Sequence, residues 1–128
     1  MPVAFVGHGS PMNAIEDNVW SRAFRDLATR LPRPAAVLAV SAHWYTRGTA
    51  VTANEQPPTI YDFGGFPEAL YQVQYPAKGN PELADRVVGL LGAEVASTSL
   101  DWGLDHGTWS VLEHVWPTAD VPVVQLSI

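Results

Sequence analysis

A chain of 128 residues with 47% hydrophobic and 16% charged residues has the make-up of one globular domain with a core, which excludes a disordered or fibrous protein. Thirteen acidic against seven basic residues give a net charge of -6, and Arg22, Arg25, Arg30 and Arg33 are spread around a helix and its exit, so the basic patch that binds nucleic acid is missing. There is no cysteine for a disulfide or a thiolate metal site, and no apolar run has the length of a membrane span or the form of a leader, so a cytoplasmic protein is expected.

In chain order, residues 2–6 are apolar with a β-branched and aromatic bias and predict a strand. Asp17 or Asn18 then caps a helix in which Trp20, Phe24, Leu27 and Leu31 form one apolar stripe, and Pro32 and Pro34 end it. Residues 35–41 are continuously apolar, as in a strand buried on both faces. Strand, helix and parallel strand make a right-handed crossover, with both strands pointing their C-terminal ends the same way.

Residues 49–53 alternate like a short strand. An irregular stretch from Gln56 leads to the run Tyr61 to Pro67, rich in glycine and aromatic residues, which fits an ordered loop over a pocket. Asn80 and Pro81 start a helix with Leu83, Val87, Leu90 and Leu91 on one face and Gly92 as its stop. Residues 93–97 predict another strand. Thr108 is expected to cap a helix carrying Trp109, Leu112, Val115 and Trp116, closed by Pro117, before a last strand over residues 121–128. No repeat, low-complexity segment or linker interrupts this order, so residues 1–128 read as a single α/β domain. A buried strand at the very C-terminus leaves that sheet edge without its continuation, and the domain is expected to be incomplete there.

The chemistry gathers on histidines. His8 and His43 each follow a predicted strand, and neighbouring parallel strands about 4.8 Å apart bring both to the sheet edge where α/β proteins place their sites. Imidazoles so placed suit a divalent metal such as Fe(II) or Zn(II), though from spacing alone ordinary structural histidines fit equally. The glycines on both sides of His8 favour close approach of a ligand. His106, between Asp105 and Gly107, is a candidate general acid or base, a substrate contact or a further ligand; a structural loop histidine is the competing reading. His114 lies mid-helix and reads as structural. Ser10 lacks the spacing of a nucleophile elbow and is followed by Pro11, so it reads as a turn residue or a group near His8. Trp44, Trp102, Trp109, Tyr61 and Phe63 are candidates for an aromatic pocket wall, with Trp109 and Trp116 also at core spacing.

Gly-His-Gly-Ser-Pro-Met (7–12), Ser-Ala-His-Trp (41–44), Asp-Phe-Gly-Gly-Phe-Pro (62–67), Leu-Tyr with the later Tyr-Pro-Ala (70–77) and Asp-His-Gly-Thr-Trp (105–109) occur in that order. Together they resemble the LigB-type extradiol ring-cleavage dioxygenases, and within them the DODA branch of 4,5-DOPA dioxygenase-like proteins. The resemblance spans essentially the whole chain. It implies a three-layer α/β sandwich around a mostly parallel central sheet, and a non-haem metal enzyme that opens a catechol ring with O2. His8 and His43 match metal-binding histidines, with Fe(II) or Zn(II) as the metal, one per site. His106 matches a histidine of the active-site region, assigned to substrate or oxygen contacts and proton transfer. Ser10, Trp44 and Phe63 are expected at the substrate.

Family members continue well beyond the position of Ile128, and their continuation carries the remaining histidines of the site. The 128-residue chain is therefore expected to be an N-terminal part that binds metal weakly and does not turn over catechols alone, with a complementing C-terminal half or a homo-oligomer as partner and no nucleic-acid or membrane partner. A non-catalytic metal or small-molecule binding domain and a zinc-dependent hydrolase are the other readings of the same histidines.

Overall fold

A computed structural model describes all 128 residues. Its sheet has four strands, β1 (Val37–Val40), β2 (Thr49–Thr52), β3 (Ala96–Ser99) and β4 (Val123–Leu126), in the spatial order β1-β4-β2-β3. β1 pairs with β4 in parallel, β2 pairs with β3 in parallel, and the two pairs join antiparallel where Val51 faces Leu126. The helices are α1 (Val19–Arg30), α2 (Glu68–Tyr71), α3 (Pro81–Leu91) and α4 (His106–Val115), with a 3-10 turn at Pro11–Ala14. This is an α/β fold on a mostly parallel sheet, as the sequence implies. No helix is long and apolar enough to cross a membrane.

Alternation along β4 explains the layers, because successive side chains of a strand point to opposite faces. Val123 is buried with Trp109 and Leu112 of α4, whereas Val124 is buried with Val51, Ala84 and Val87 on the α3 side. α1 packs in turn on α4 through Phe24, Val111 and Val115. α1 and α3 start where the side chain of the preceding residue accepts their free N–H groups. Asn18 accepts from Trp20 and Ser21 while the Ser21 hydroxyl accepts from the Asn18 N–H, and Asn80 accepts from Leu83 ahead of Pro81.

Several expectations need correction. The segment 2–6 is not a strand: none of its backbone groups bonds to the sheet, and Phe5 is 102% exposed, with Val6 alone packing inward against the Phe24 cluster. The partner of β1 is β4, and β1's other edge is free. On α1, Phe24 and Leu27 meet α4, but Trp20, one turn earlier, is 60% exposed. On α3 the small Ala84 sets the buried face together with Val87, which leaves Leu90 and Leu91 in solvent. β3 begins at Ala96 because Gly92 to Val95 form a turn closed by two hydrogen bonds to the Gly92 carbonyl. α4 begins at His106, since the Asp105 carbonyl already accepts from Thr108 and Trp109; Thr108 lies inside the first turn.

The two tryptophans give a direct test of this packing. Trp109 is fully buried and donates its indole N–H to the Ile60 carbonyl at 2.8 Å. Trp109→Ala is expected to cost about 3–5 kcal/mol in urea denaturation, against less than about 0.5 kcal/mol for Trp20→Ala.

Candidate metal centre

Three imidazoles meet beyond the C-terminal end of β1. The ring nitrogens that His8, His43 and His106 can offer lie within 4.8 Å of one another. His8 Nε2 and His43 Nε2 are 2.7 Å apart. The His106 ring centre is 4.1 Å from that of His43 and 4.9 Å from that of His8. The cluster is graded in burial, with His106 buried, His8 half-buried and His43 exposed.

Each histidine is held by a different device. His8 precedes a tight turn in which the Ser10 hydroxyl accepts the Met12 N–H, while buried Asn13 donates its side-chain amide to the His8 carbonyl at 2.9 Å. The Asn13 carbonyl in turn accepts from His114 Nε2 at 2.6 Å, which ties the turn to α4 and gives His114 the structural role expected of it. Gly9 has φ +67°, and a Cβ there would lie 2.8 Å from the Asn13 amide nitrogen, so the bend favours glycine. The meeting of His8 and His43 thus rests on Val6 and Asn13 packing toward α1 and α4, not on the strand pairing that the sequence predicted.

His43 and His106 are registered by one buried carboxylate. Asp105 accepts from the Ser41 hydroxyl at 2.7 Å, from Gln125 Nε2 at 2.5 Å and from Trp102 Nε1 at 3.4 Å. Ser41 Oγ also accepts the His43 N–H at 3.2 Å. Gln125, in the middle of β4, accepts from the Asp105 N–H and from the Thr108 hydroxyl, and its own N–H donates to Thr52 of β2. Gly107 completes the fit: a Cβ there would lie 2.7 Å from the His43 ring and 3.0 Å from Ser41 Oγ.

Asp62 reaches the cluster from the glycine-rich loop. Its Oδ1 accepts the His106 backbone N–H at 2.9 Å and lies 2.8 Å from His106 Nδ1. Burial pushes the Asp62 carboxyl up, but the two hydrogen bonds from His106 outweigh it and leave the group below its ordinary value. Phe63 stands edge-on to the His106 ring at 5.5 Å, backed by Tyr61, Phe66, Tyr71 and Trp109. Trp44 is buried and stacked on Trp102, with 5.7 Å between ring centres. Asp62 and Gln125 were not among the sequence candidates. Gln125 has a readable signal, a long polar side chain inside an apolar strand; Asp62 has only its place in the aromatic loop.

The donor set fits a divalent metal. Neutral imidazoles bind such ions, and burial together with the neighbouring His106 and His43 lowers the pKa of His8, which favours its unprotonated form. Buried His8 Nδ1 has no hydrogen-bond partner, so this ring is not committed to a protein network through either nitrogen beyond its contact with His43.

The chain matches, over residues 2–128, the family model described as the catalytic LigB subunit of aromatic ring-opening dioxygenase. It belongs to the LigB family. It is 57% identical over 129 residues to the 4,5-DOPA dioxygenase extradiol of Escherichia coli (strain K12), covering 100% of this chain and 48% of that protein. It is 44% identical to the protein of the same name from Beta vulgaris, covering 97% of this chain and 48% of the relative. The crystal structure of an uncharacterized protein from Escherichia coli K12 superimposes with a TM-score of 0.72 at 47% identity, over 93% of this chain and 44% of that one. The LigB chain thus spans about half the length of the curated relatives it matches.

Two outcomes follow for the LigB chain. An unfolded histidine takes up a proton near pH 6.5, whereas folded His8 does so only at more acidic pH. Proton uptake by the unfolded state therefore lowers the stability of the metal-free chain as pH falls below about 6.5, with His8's contribution intact above it. His8→Ala is expected to flatten that slope in denaturation curves recorded across this range. Gly107→Ala is expected to displace the His43 ring and weaken Zn(II) binding about tenfold in calorimetry, the scale of a lost supporting contact.

Proposed function

We propose that residues 1–128 are the N-terminal part of a LigB catalytic domain and supply the histidine-bearing half of an extradiol dioxygenase site. The carrying observation is the convergence of His8, His43 and His106 at one sheet edge, in a chain of a family described as ring-opening dioxygenases. In this reading His8 and His43 hold the metal, and His106 serves the substrate. The close approach of the first two through Nε2 supports that division.

When bound, Fe(II) supplies Lewis acidity for the two catechol oxygens and a redox step toward O2, whereas Zn(II) suits the same imidazoles without redox chemistry. The substrate we propose is a catechol, such as the DOPA for which the relatives are named. The ring bond beside the hydroxyl pair is cleaved and both oxygen atoms of O2 enter the product, leaving an aldehyde and a carboxylate. His106 takes the proton of a catechol hydroxyl. Phe63 holds the aromatic ring against the cluster, Trp44 backs the wall from its stack on Trp102, and Ser10 lines the His8 side.

The other half of the site comes from the part of the LigB fold that this chain does not match. Val3 and Phe5, shortly before His8 in the chain, and Leu38 and Val40, on β1 shortly before His43, carry exposed apolar side chains that suit burial under such a partner. A polypeptide with the unmatched half of the Escherichia coli relative is expected to form a 1:1 complex with this chain in light scattering, and Phe5→Asp with Val40→Asp to abolish it. Self-association without that partner would favour a homo-oligomer instead.

Metal binding and turnover separate the roles. His8→Ala and His43→Ala are expected each to weaken Zn(II) binding more than about 100-fold, beyond the 10–100-fold of a lost supporting group, while His106→Ala changes it little. With the partner half and Fe(II) under air, the complex is expected to consume O2 and form a coloured ring-opened product, and His106→Ala to lose this turnover. Binding of Zn(II) and catechol with no O2 uptake under Fe(II) would instead support a non-catalytic binding domain.

A further inference from the structure

Asp62 makes an unusual double contact. One oxygen, Oδ1, faces both the backbone N–H and the ring Nδ1 of His106, at 2.9 and 2.8 Å, across 44 residues of chain. An ionised carboxylate only accepts hydrogen bonds, so at this distance Nδ1 is the donor. A neutral imidazole carries one N–H, and with that proton on Nδ1 the Nε2 atom keeps a free lone pair.

The backbone half of the contact has its own cause. Asp105 occupies the N-cap position of α4, yet its side chain makes no capping bond, because Ser41, Gln125 and Trp102 engage it. The amide of His106, at the first position of the helix, is therefore capped from another part of the chain by Asp62. The same carboxylate thus fixes both the backbone and the ring of one residue, and Phe63, its neighbour in sequence, packs edge-on against that ring.

We infer that Asp62 is the positioning residue of this site: it locks His106 in the Nδ1–H tautomer and leaves Nε2, the nitrogen a bound hydroxyl can protonate, as the open atom of the ring beside His8 and His43. The same arrangement is how proteins orient imidazoles for proton transfer or ligation. This inference deepens the proposed role of His106 and rests on it for its functional meaning, but the tautomer itself requires neither metal nor substrate.

The full chain labelled with 15N-histidine tests it by long-range 1H–15N correlation, at a pH well above the imidazole range and with His106 assigned by its loss in His106→Gln. The expected pattern is a protonated Nδ1 and an unprotonated Nε2. Asp62→Asn keeps it, because the amide oxygen still accepts both bonds; Asp62→Ala shifts the ring toward the Nε2–H tautomer while the circular dichroism of the helices is retained. An Nε2–H tautomer in the unsubstituted chain, or an unchanged pattern in Asp62→Ala, overturns the inference, and the unsubstituted chain and Asp62→Asn decide it even if Asp62→Ala does not fold. Added Zn(II) probes the metal reading separately: silence at the ring nitrogens of His8 and His43 counts against that reading and leaves the tautomer result standing.

Discussion

The carboxylate of Asp105 is the constraint on which the arrangement of this molecule turns. It is fully buried and must find donors, because an unpaired charge in the interior costs several kcal/mol. The three it finds come from different places: Ser41 after β1, Gln125 within β4, and Trp102 in the loop before α4. Satisfying one group therefore fixes the start of α4 against two neighbouring strands. His106 is the next residue along the chain, and His43 is bound through its N–H to the same Ser41 that donates to Asp105. Two of the three imidazoles are thus placed by a polar cluster that excludes water rather than by contacts between the rings.

The third imidazole is placed by apolar and amide contacts of another kind. Asn13 holds the carbonyl of His8 and is itself held by His114, while Val6 settles against Phe24, Val111 and Val115. One side of the cluster is stiff and buried, and the other rides on a short turn. The hydrogen-bond partners of the rings are unequal too, since His106 has Asp62 whereas the Nδ1 of His8 is buried without one.

Much of this was legible in the sequence because it depended on local rules. Asn18, Asn80, Pro81 and Gly92 marked helix ends through capping and φ preferences, and the apolar runs at residues 35–41 and 121–128 marked two strands, although their pairing with each other was not read and one face of β1 is exposed. The three histidines were legible as candidates from their glycine-flanked or strand-end positions, and the five motifs tied them to LigB. What could not be read depended on contacts distant in sequence. Residues 2–6 have the composition of a strand but make no pairing here, and composition does not carry a partner. Asp62 matters because of what lies 44 residues away, which no spacing rule encodes, and the oddity of a glutamine inside an apolar strand does not say that its partner is Asp105, 20 residues away.

Gln125 has a broader consequence. Its side chain grips Asp105 and Thr108 while its backbone N–H is taken by Thr52, so a single residue of the central strand spans β2, β4 and the first turn of α4. Loops at protein sites commonly open by themselves, at a free energy far below that of global unfolding. Here the buried half of the histidine cluster has no such independent freedom. Releasing His106 means breaking the bonds that hold the middle of the sheet together, so this part of the site belongs to the same cooperative unit as the core.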